Sequence, residues 1–422
     1  MISRWQWLAK LVTRRLWFKA SLYGFAAILT ALIAILLSPV VPDKLANVIG
    51  ADAVESLLTI VASSMLAVAT FSLGTMVAAF AAASSAATPR VSKLLVEDPV
   101  SQNVLSTFIG AFIFSLVGLI ALSTGSYGAG GRFVLFVVTV GVIAAVLVTF
   151  FRWIDYLANL GRLSETLERV EQSAAQAMRA RSTHPYLCCS PLGSIPPSAA
   201  THYGEKIGYV QHVDLEVLQD TAEKADGRIW VSRIPGSFTE PTCPLFWASW
   251  EIDDETRKSL YGAFLVGSVR SFEQDPRFGV IVLSEIASRA LSPGINDPGT
   301  AIDVIGRIIR VLAIWAETPV EPVPLRYPRV FVPEIAASDL LDDAFGPISR
   351  DAAGTLEVGI RLQKALGFLA RLLPERFGGP AKSLSESALQ LSESKLPLEA
   401  HKAILRNLAG EVQASNALHR KG

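Results

Sequence analysis

The sequence predicts a mainly α membrane protein: four transmembrane helices followed by a cytoplasmic α+β module and a helical region. Three observations predict it. Four apolar runs, each of about 20 residues or more, lie within the first 151 positions, and about 20 residues cross the roughly 30 Å of bilayer hydrocarbon. The mean hydropathy of +0.40 is high for a soluble chain. Past Arg152 the apolar runs give way to charged, amphipathic segments broken by Pro, Ser and Gly. The 422 residues leave room for more than one domain, and Lys plus Arg balances Asp plus Glu at 38 each, which argues for neither a nucleic acid nor an acidic partner.

The transmembrane domain is expected over residues 1–151, with spans at about 21–41, 57–87, 103–123 and 133–151. The first run lacks the small-residue cleavage pattern of a signal peptide and is expected to be retained. Arg4, Lys10, Arg14, Arg15 and Lys19 precede it without an acid, which predicts a cytoplasmic N-terminus and, after four crossings, a cytoplasmic C-terminal domain. The 41–55 loop carries Lys44 against three acids, the TPRVSKLLVEDP loop carries Arg90 and Lys93, and the GSYGAGGR turn should lie outside. Trp17, Phe18, Trp153 and Tyr156 fall at expected headgroup depths.

The second span is the unusual one. Its 31 residues, Leu57 to Ala87, would make a helix of about 46 Å, so it must tilt, kink near Gly74 or project from the bilayer. At alternating steps of four and three, one face presents Ser63, Ala67, Thr70, Gly74, Ala78, Ala81 and Ser85, all small. A second face carries Leu66, Leu73, Met76 and Phe80, which suits lipid or bulky neighbours. A small-residue stripe has two physical uses: close helix packing, or the lining of a pore shared by several copies. No charge interrupts any of the four spans, which weakens a proton-coupled transporter.

Residues 152–204 read as a stalk helix and a Pro/Ser/Gly-rich linker, and residues 205–250 as the small α+β module. In that module GYVQHV, RIWVSRI and PLFWASW are strands, and Asp214 caps the helix DLEVLQDTAEKA. With few polar side chains the module reads as a packing or oligomerisation unit. A helical cytoplasmic domain is expected over 251–378, with ETRKSLYGAFLVGSVRS as its first helix, a GGPAKS break, and a helical tail over 379–422. The stripe Val358, Leu362, Leu366, Leu369 and Leu373 reads as core.

Asp275–Pro276 and Asp297–Pro298 each set a capping acid before a proline, the pattern of a helix start. In RALSPGINDPGTA, Pro293 and Gly294 close the preceding helix, Gly294 being suited to a left-handed cap. The segment reads first as a joint between helices, Arg289 pairing with Glu285 four residues earlier. Arg289, Ser292, Gly294, Asn296 and Asp297 are the structural or ligand candidates. Cys188, Cys189 and Cys243 lack zinc-type spacing and are expected as reduced cytosolic thiols, and the five histidines show no helical metal pairing. No HExxH, P-loop or GxSxG motif is present, so no enzyme, catalytic residue, metal or cofactor is expected.

In their order along the chain, FSLGTMVAAFAAASSAATPR, DPVSQNVLSTFIGAFIFSL, GYVQHVDLEVL, IPGSFTEPTCPL and RALSPGINDPGTA resemble a family of bacterial inner-membrane proteins, domain of unknown function 2254. The resemblance covers nearly the whole chain. Gly299 stands where a larger residue is usual, and AAFAAASSAA is unusually alanine-rich. The resemblance implies four spans and a cytoplasmic domain in the inner membrane. It carries no activity and no functional residues.

The functional expectation is a homo-oligomeric channel or conduit in the lipid bilayer, with ions or a small ligand as the passing or regulating species and no nucleic-acid partner. The alternative is a membrane-anchored sensor or scaffold that binds a ligand or protein through its cytoplasmic domain.

Overall fold

Long apolar helices and short β-branched strands occupy separate parts of the chain, and the computed structural model assigns them to different compact units. It describes residues 13, 16–36, 51–96, 98–124, 128–317 and 324–418. The chain divides into two compact units, Leu8–Thr166 and Leu167–Gly422. Arg4, Lys10, Arg14, Arg15, Lys44, the expected end of the first span and part of the GSYGAGGR turn lie outside the described residues.

The first unit is helical. It contains α1 (Leu16–Leu36), α2 (Ala51–Ala86), a 3₁₀ turn at Pro89–Val91, the short α3 (Ser92–Val96), α4 (Pro99–Ser123) and α5 (Ala129–Asn159). Among the described residues three helices are long and apolar enough to cross a membrane: Asp52–Ala86, Pro99–Ser123 and Ala129–Ala158. α1 is a 21-residue helix whose sole charged residue is Lys19. Val61, Met65, Ala69 and Met76 of α2 share a core with Phe108 of α4 and with Val146 and Trp153 of α5. Val54, Leu58, Phe114 and Leu135 form a second cluster.

α4 starts where the Asp98 carboxylate accepts the Ser101 N–H at 2.8 Å and Pro99 takes the first turn. α5 does not run on as one continuous stalk. It stops at Asn159, and the chain turns through Gly161 at φ +87°, a left-handed value open to glycine, before α6 (Leu163–Thr183) begins.

The second unit places two sheets beside a helical array. β1 (Cys189–Pro191), β2 (Ala200–Tyr203), β3 (Gly208–Val213), α7 (Leu215–Lys224), β4 (Ile229–Val231), β5 (Phe238–Thr239), β6 (Pro244–Ala248), α8 (Asp254–Gly262) and β7 (Phe264–Gly267) come first. Then follow α9 (Pro276–Ala290), α10 (Pro298–Glu317), β8 (Tyr327–Val332), α11 (Ala337–Asp351), α12 (Leu356–Leu372), α13 (Pro374–Lys395) and α14 (Glu399–Leu418).

One sheet has the order β1-β8-β4-β6-β2, with β8 parallel to both its neighbours and β6 antiparallel to β4 and β2. Trp230 pairs with Phe331 across it, the rings stacked at 5.5 Å. The other sheet, β5-β3-β7, is antiparallel. The strands therefore reach beyond residues 205–250: β1 and β2 come from the expected linker, β8 from the Pro-rich connection, and β7 from the segment expected to prolong α8. Each of these short runs pairs with a strand distant in sequence, which a local pattern does not display.

In the helical array α13 passes straight through Gly378, Gly379 and Pro380, where a break was expected. Phe377, Ala381 and Leu384 on it are buried, so packing overrides the local helix-breaking preference. Leu405, Ala409 and Val412 of α14 are buried too, which makes the expected tail part of the core up to Ser415. Val358, Leu362, Leu366 and Leu369 of α12 point inward.

Candidate functional site

α2 carries the face that the sequence singles out. Ser63, Ala67, Thr70, Gly74, Ala78, Ala81 and Ser85 are all exposed, and a side chain built on Gly74 would meet nothing within 4 Å. The helix turns its other side, Val54, Leu58, Val61, Met65, Ala69, Ser72 and Met76, into the unit. Of the bulky face, Leu66 and Leu73 are exposed, Phe80 is half-buried, and Met76 is buried rather than lipid-facing.

Close helix approach in this unit is made elsewhere. A Cβ on Gly110 would lie 3.2 Å from that of Tyr23, one on Gly24 would lie 2.9 Å from Ile113 Cδ1, and one on Gly118 would lie 3.1 Å from Leu58 Cδ1. Those three glycines, which form no stripe in the sequence, bring α1 and α2 against α4.

The hydroxyls on and beside the small face are satisfied by their own helix. Ser63 Oγ donates to the Thr59 carbonyl at 2.8 Å, Thr70 Oγ1 to Leu66 at 2.9 Å and Thr75 Oγ1 to Phe71 at 3.0 Å. Such a face needs no external polar partner, yet its oxygens keep lone pairs that water could use.

At the far end of α5 the aromatic pair behaves differently from a lipid-facing belt. Trp153 is buried and stacks on Tyr156 at 5.4 Å, and the Tyr156 hydroxyl donates to Asp98 Oδ2 at 3.0 Å while accepting from Ser101 at 3.1 Å. This network ties the start of α4 to the end of α5.

The RALSPGINDPGTA segment is a tight joint. Asp297 N–H donates to the Ala290 carbonyl at 2.8 Å, Asn296 N–H to Ser292 at 2.9 Å, and Ser292 Oγ to the Arg289 carbonyl at 2.7 Å. Asp297 accepts from both the backbone N–H (3.0 Å) and the hydroxyl (2.6 Å) of Thr300, which opens α10. These bonds, the hydroxyl foremost, hold its carboxyl below the usual aspartate value.

The left-handed position is Asn296, at φ +49°, and not Gly294. Asn tolerates that region because its short polar side chain disturbs the backbone little. Arg289 is exposed and forms no ion pair with Glu285 among the described residues.

A polar network without a signature in the residue spacing lies beside the start of α9. Arg270 grips Asp275 with two bonds, 2.7 and 2.9 Å, and Asp275 also accepts the Phe278 N–H at 3.2 Å. His212 Nδ1 lies 2.9 Å from Gln274 Oε1. Arg277 bridges Asp339 and Asp343, each at 2.6 Å. Arg181 is 3 % exposed, and its Nε and Nη1 have no partner among the described residues. Burial lowers its pKa to about 10, against the pull of Asp275, and it stays cationic. The available signal was RSFEQDPR, four charged residues in eight between an apolar strand and an apolar helix, with no helical period to put them on a solvent face.

Among the described residues no group of three or more His, Cys, Asp or Glu could hold a metal ion. Cys188, Cys189 and Cys243 are free thiols, and burial pushes the pKa values of the first two up, which keeps them protonated.

Uncharacterized proteins of Mycobacterium bovis and of Mycobacterium tuberculosis are each 27% identical to the chain over 284 residues, 62% of this chain and 52% of theirs. The chain thus spans about half the length of the curated relatives it matches. No solved structure matches. The model of the family described as Predicted membrane protein (DUF2254) matches residues 13–367, and the chain belongs to that family.

Proposed function

We propose that this membrane protein is a homo-oligomeric conduit of the bacterial inner membrane, with the small face of α2 lining the pathway. In this reading α1 is a fourth span, the N-terminus is cytoplasmic, and the second unit is a cytoplasmic regulatory domain. No catalytic step is assigned to it.

One observation carries the reading: all seven small positions of α2 are exposed in the single chain, while the helix packs on its own unit through its other side. Small, weakly polar side chains around an axis leave room for water, and the self-satisfied hydroxyls of Ser63 and Thr70 can still accept from it. The absence of charge from Ser56 to Pro89 favours a passive route over a proton-coupled one.

The test is conductance of the purified full-length protein in planar bilayers, with Thr70→Cys and Gly74→Cys variants exposed to a thiol-reactive cation. Current that the reagent blocks only in the cysteine variants is expected. No current under voltage, tension or altered ions, together with no cross-linking between cysteine variants, would overturn the reading.

A further inference from the structure

In the second unit a cavity of about 280 Å³ opens where α8 meets the edges of the two sheets, between the β2–β3 turn, β5, β6 and β7. Its volume lies near the lower limit of the roughly 300–1,000 Å³ usual for small-molecule sites, so it suits a compact ligand. Leu245 and Phe264 supply apolar wall, and Lys206 and Lys258 stand in the lining. Neither ammonium has an ion-pair partner among the described residues.

The acid in the lining, Glu205, is already engaged by Arg257 at 3.2 Å, and Arg257 also lies over the Tyr261 ring at 5.4 Å. Thr239 lines the cavity too, is 1 % exposed, and its hydroxyl has no partner among the described residues. A buried hydroxyl in that state costs free energy unless something bonds to it. The turn residue beside it is Gly204, where a Cβ would come within 2.4 Å of Thr239 Oγ1.

We propose that this cavity binds a compact phosphate-bearing metabolite, its phosphate between Lys206 and Lys258 and its carbon body against Leu245 and Phe264. Two ammonium point charges match a phosphate dianion. No arginine stands in the lining, so the anion would be met by the two lysine point charges rather than by a planar fork. The proposal concerns binding and stands apart from conduction.

It is tested by titrating glycerol 3-phosphate and inorganic phosphate into the full-length protein in detergent, with succinate and glycerol as controls. Saturable binding of glycerol 3-phosphate, tighter than that of inorganic phosphate and at least tenfold tighter than that of succinate, is expected. Lys206→Ala and Lys258→Ala should each weaken it about tenfold, the loss of one charge-assisted bond. Both lysines are exposed, so these variants should melt like the parent without ligand. Three results would overturn the proposal: no saturable phosphate binding, affinity unchanged in the double lysine variant, or succinate binding as tightly. Equal competition by phosphatidic acid in the micelles would move the site to a lipid headgroup and overturn the soluble ligand.

Discussion

Gly279 is a position at which one added methyl group should be costly. It lies on α9 where α6 crosses, and a Cβ there would sit 2.5 Å from Ala174 Cβ, 2.8 Å from its Cα and 3.3 Å from its backbone nitrogen. Carbon atoms pack best at about 3.5–4.0 Å, so Gly279→Ala must push the two helices apart by roughly 1 Å. No side chain can swing away, because two of the three obstacles are backbone atoms.

Val170, Ala177 and Met178 of α6 and Phe278, Val282 and Ile286 of α9 are all buried, so a shift at the crossing has no free space to move into. Glu171 of α6 also accepts from Arg307 at 2.8 Å and from Arg310 at 2.6 Å, both on α10. Overpacking of this kind costs about 1–3 kcal/mol, and Ala returns about 1 kcal/mol of helix propensity. With backbone as the obstacle the net loss should be about 2 kcal/mol.

The assay is thermal unfolding of the full-length protein in detergent, beside Gly346→Ala as a control. Gly346 lies in α11 with nothing within 4 Å of a built Cβ, so that variant should gain up to about 1 kcal/mol. Adding Ala174→Gly to Gly279→Ala should recover only part of the loss, because the Ala174 Cα remains in the way. If Gly279→Ala and Gly346→Ala both raise the melting temperature, the close crossing is refuted.

Three further predictions follow from the second unit. Asp297→Ala should cost about 1 kcal/mol as a lost cap. Because the folded carboxyl titrates below its unfolded value of about 3.9, that contribution is present above pH ~4 and fades as pH falls through the folded value, so parent and variant melting curves should converge in acid. Asn296→Ala should cost about 1 kcal/mol for its left-handed backbone and Asn296→Gly should cost less, which paired chemical-denaturation curves would check. Removing either Arg270 or Asp275 strands a buried charge and should cost about 3–5 kcal/mol, whereas Arg270→Met with Asp275→Leu should lose less than either single change; a double-mutant cycle that is additive would refute the pairing.

How much of this was legible in the sequence varied with how local the cause was. The starts at Pro276 and Pro298 were legible because a capping acid and the proline after it act within one turn. β1, β7 and β8 were not: CSP, FLVG and YPRVFV become strands through partners far away in sequence, as Cys189 does with Tyr327. The small face of α2 was legible from its spacing, but its orientation was not, since small residues suit a buried seam and an open surface equally. Trp153 was assigned by depth alone, and its stacking on Tyr156 is a tertiary choice. The RSFEQDPR network escaped because Arg270 and Asp275 are only five apart and look like a solvated turn until burial is known.

The length of α2 has one more consequence. Between Glu55 and Arg90 it carries no titratable side chain, so sliding or tilting this segment moves no gating charge through the membrane field. Membrane potential then has almost no lever on it, whereas bilayer thickness acts on every ångström of a helix about 54 Å long. Any opening that depends on α2 should therefore follow lipid chain length and remain nearly flat with voltage, and a steep voltage dependence would assign the moving part to another element.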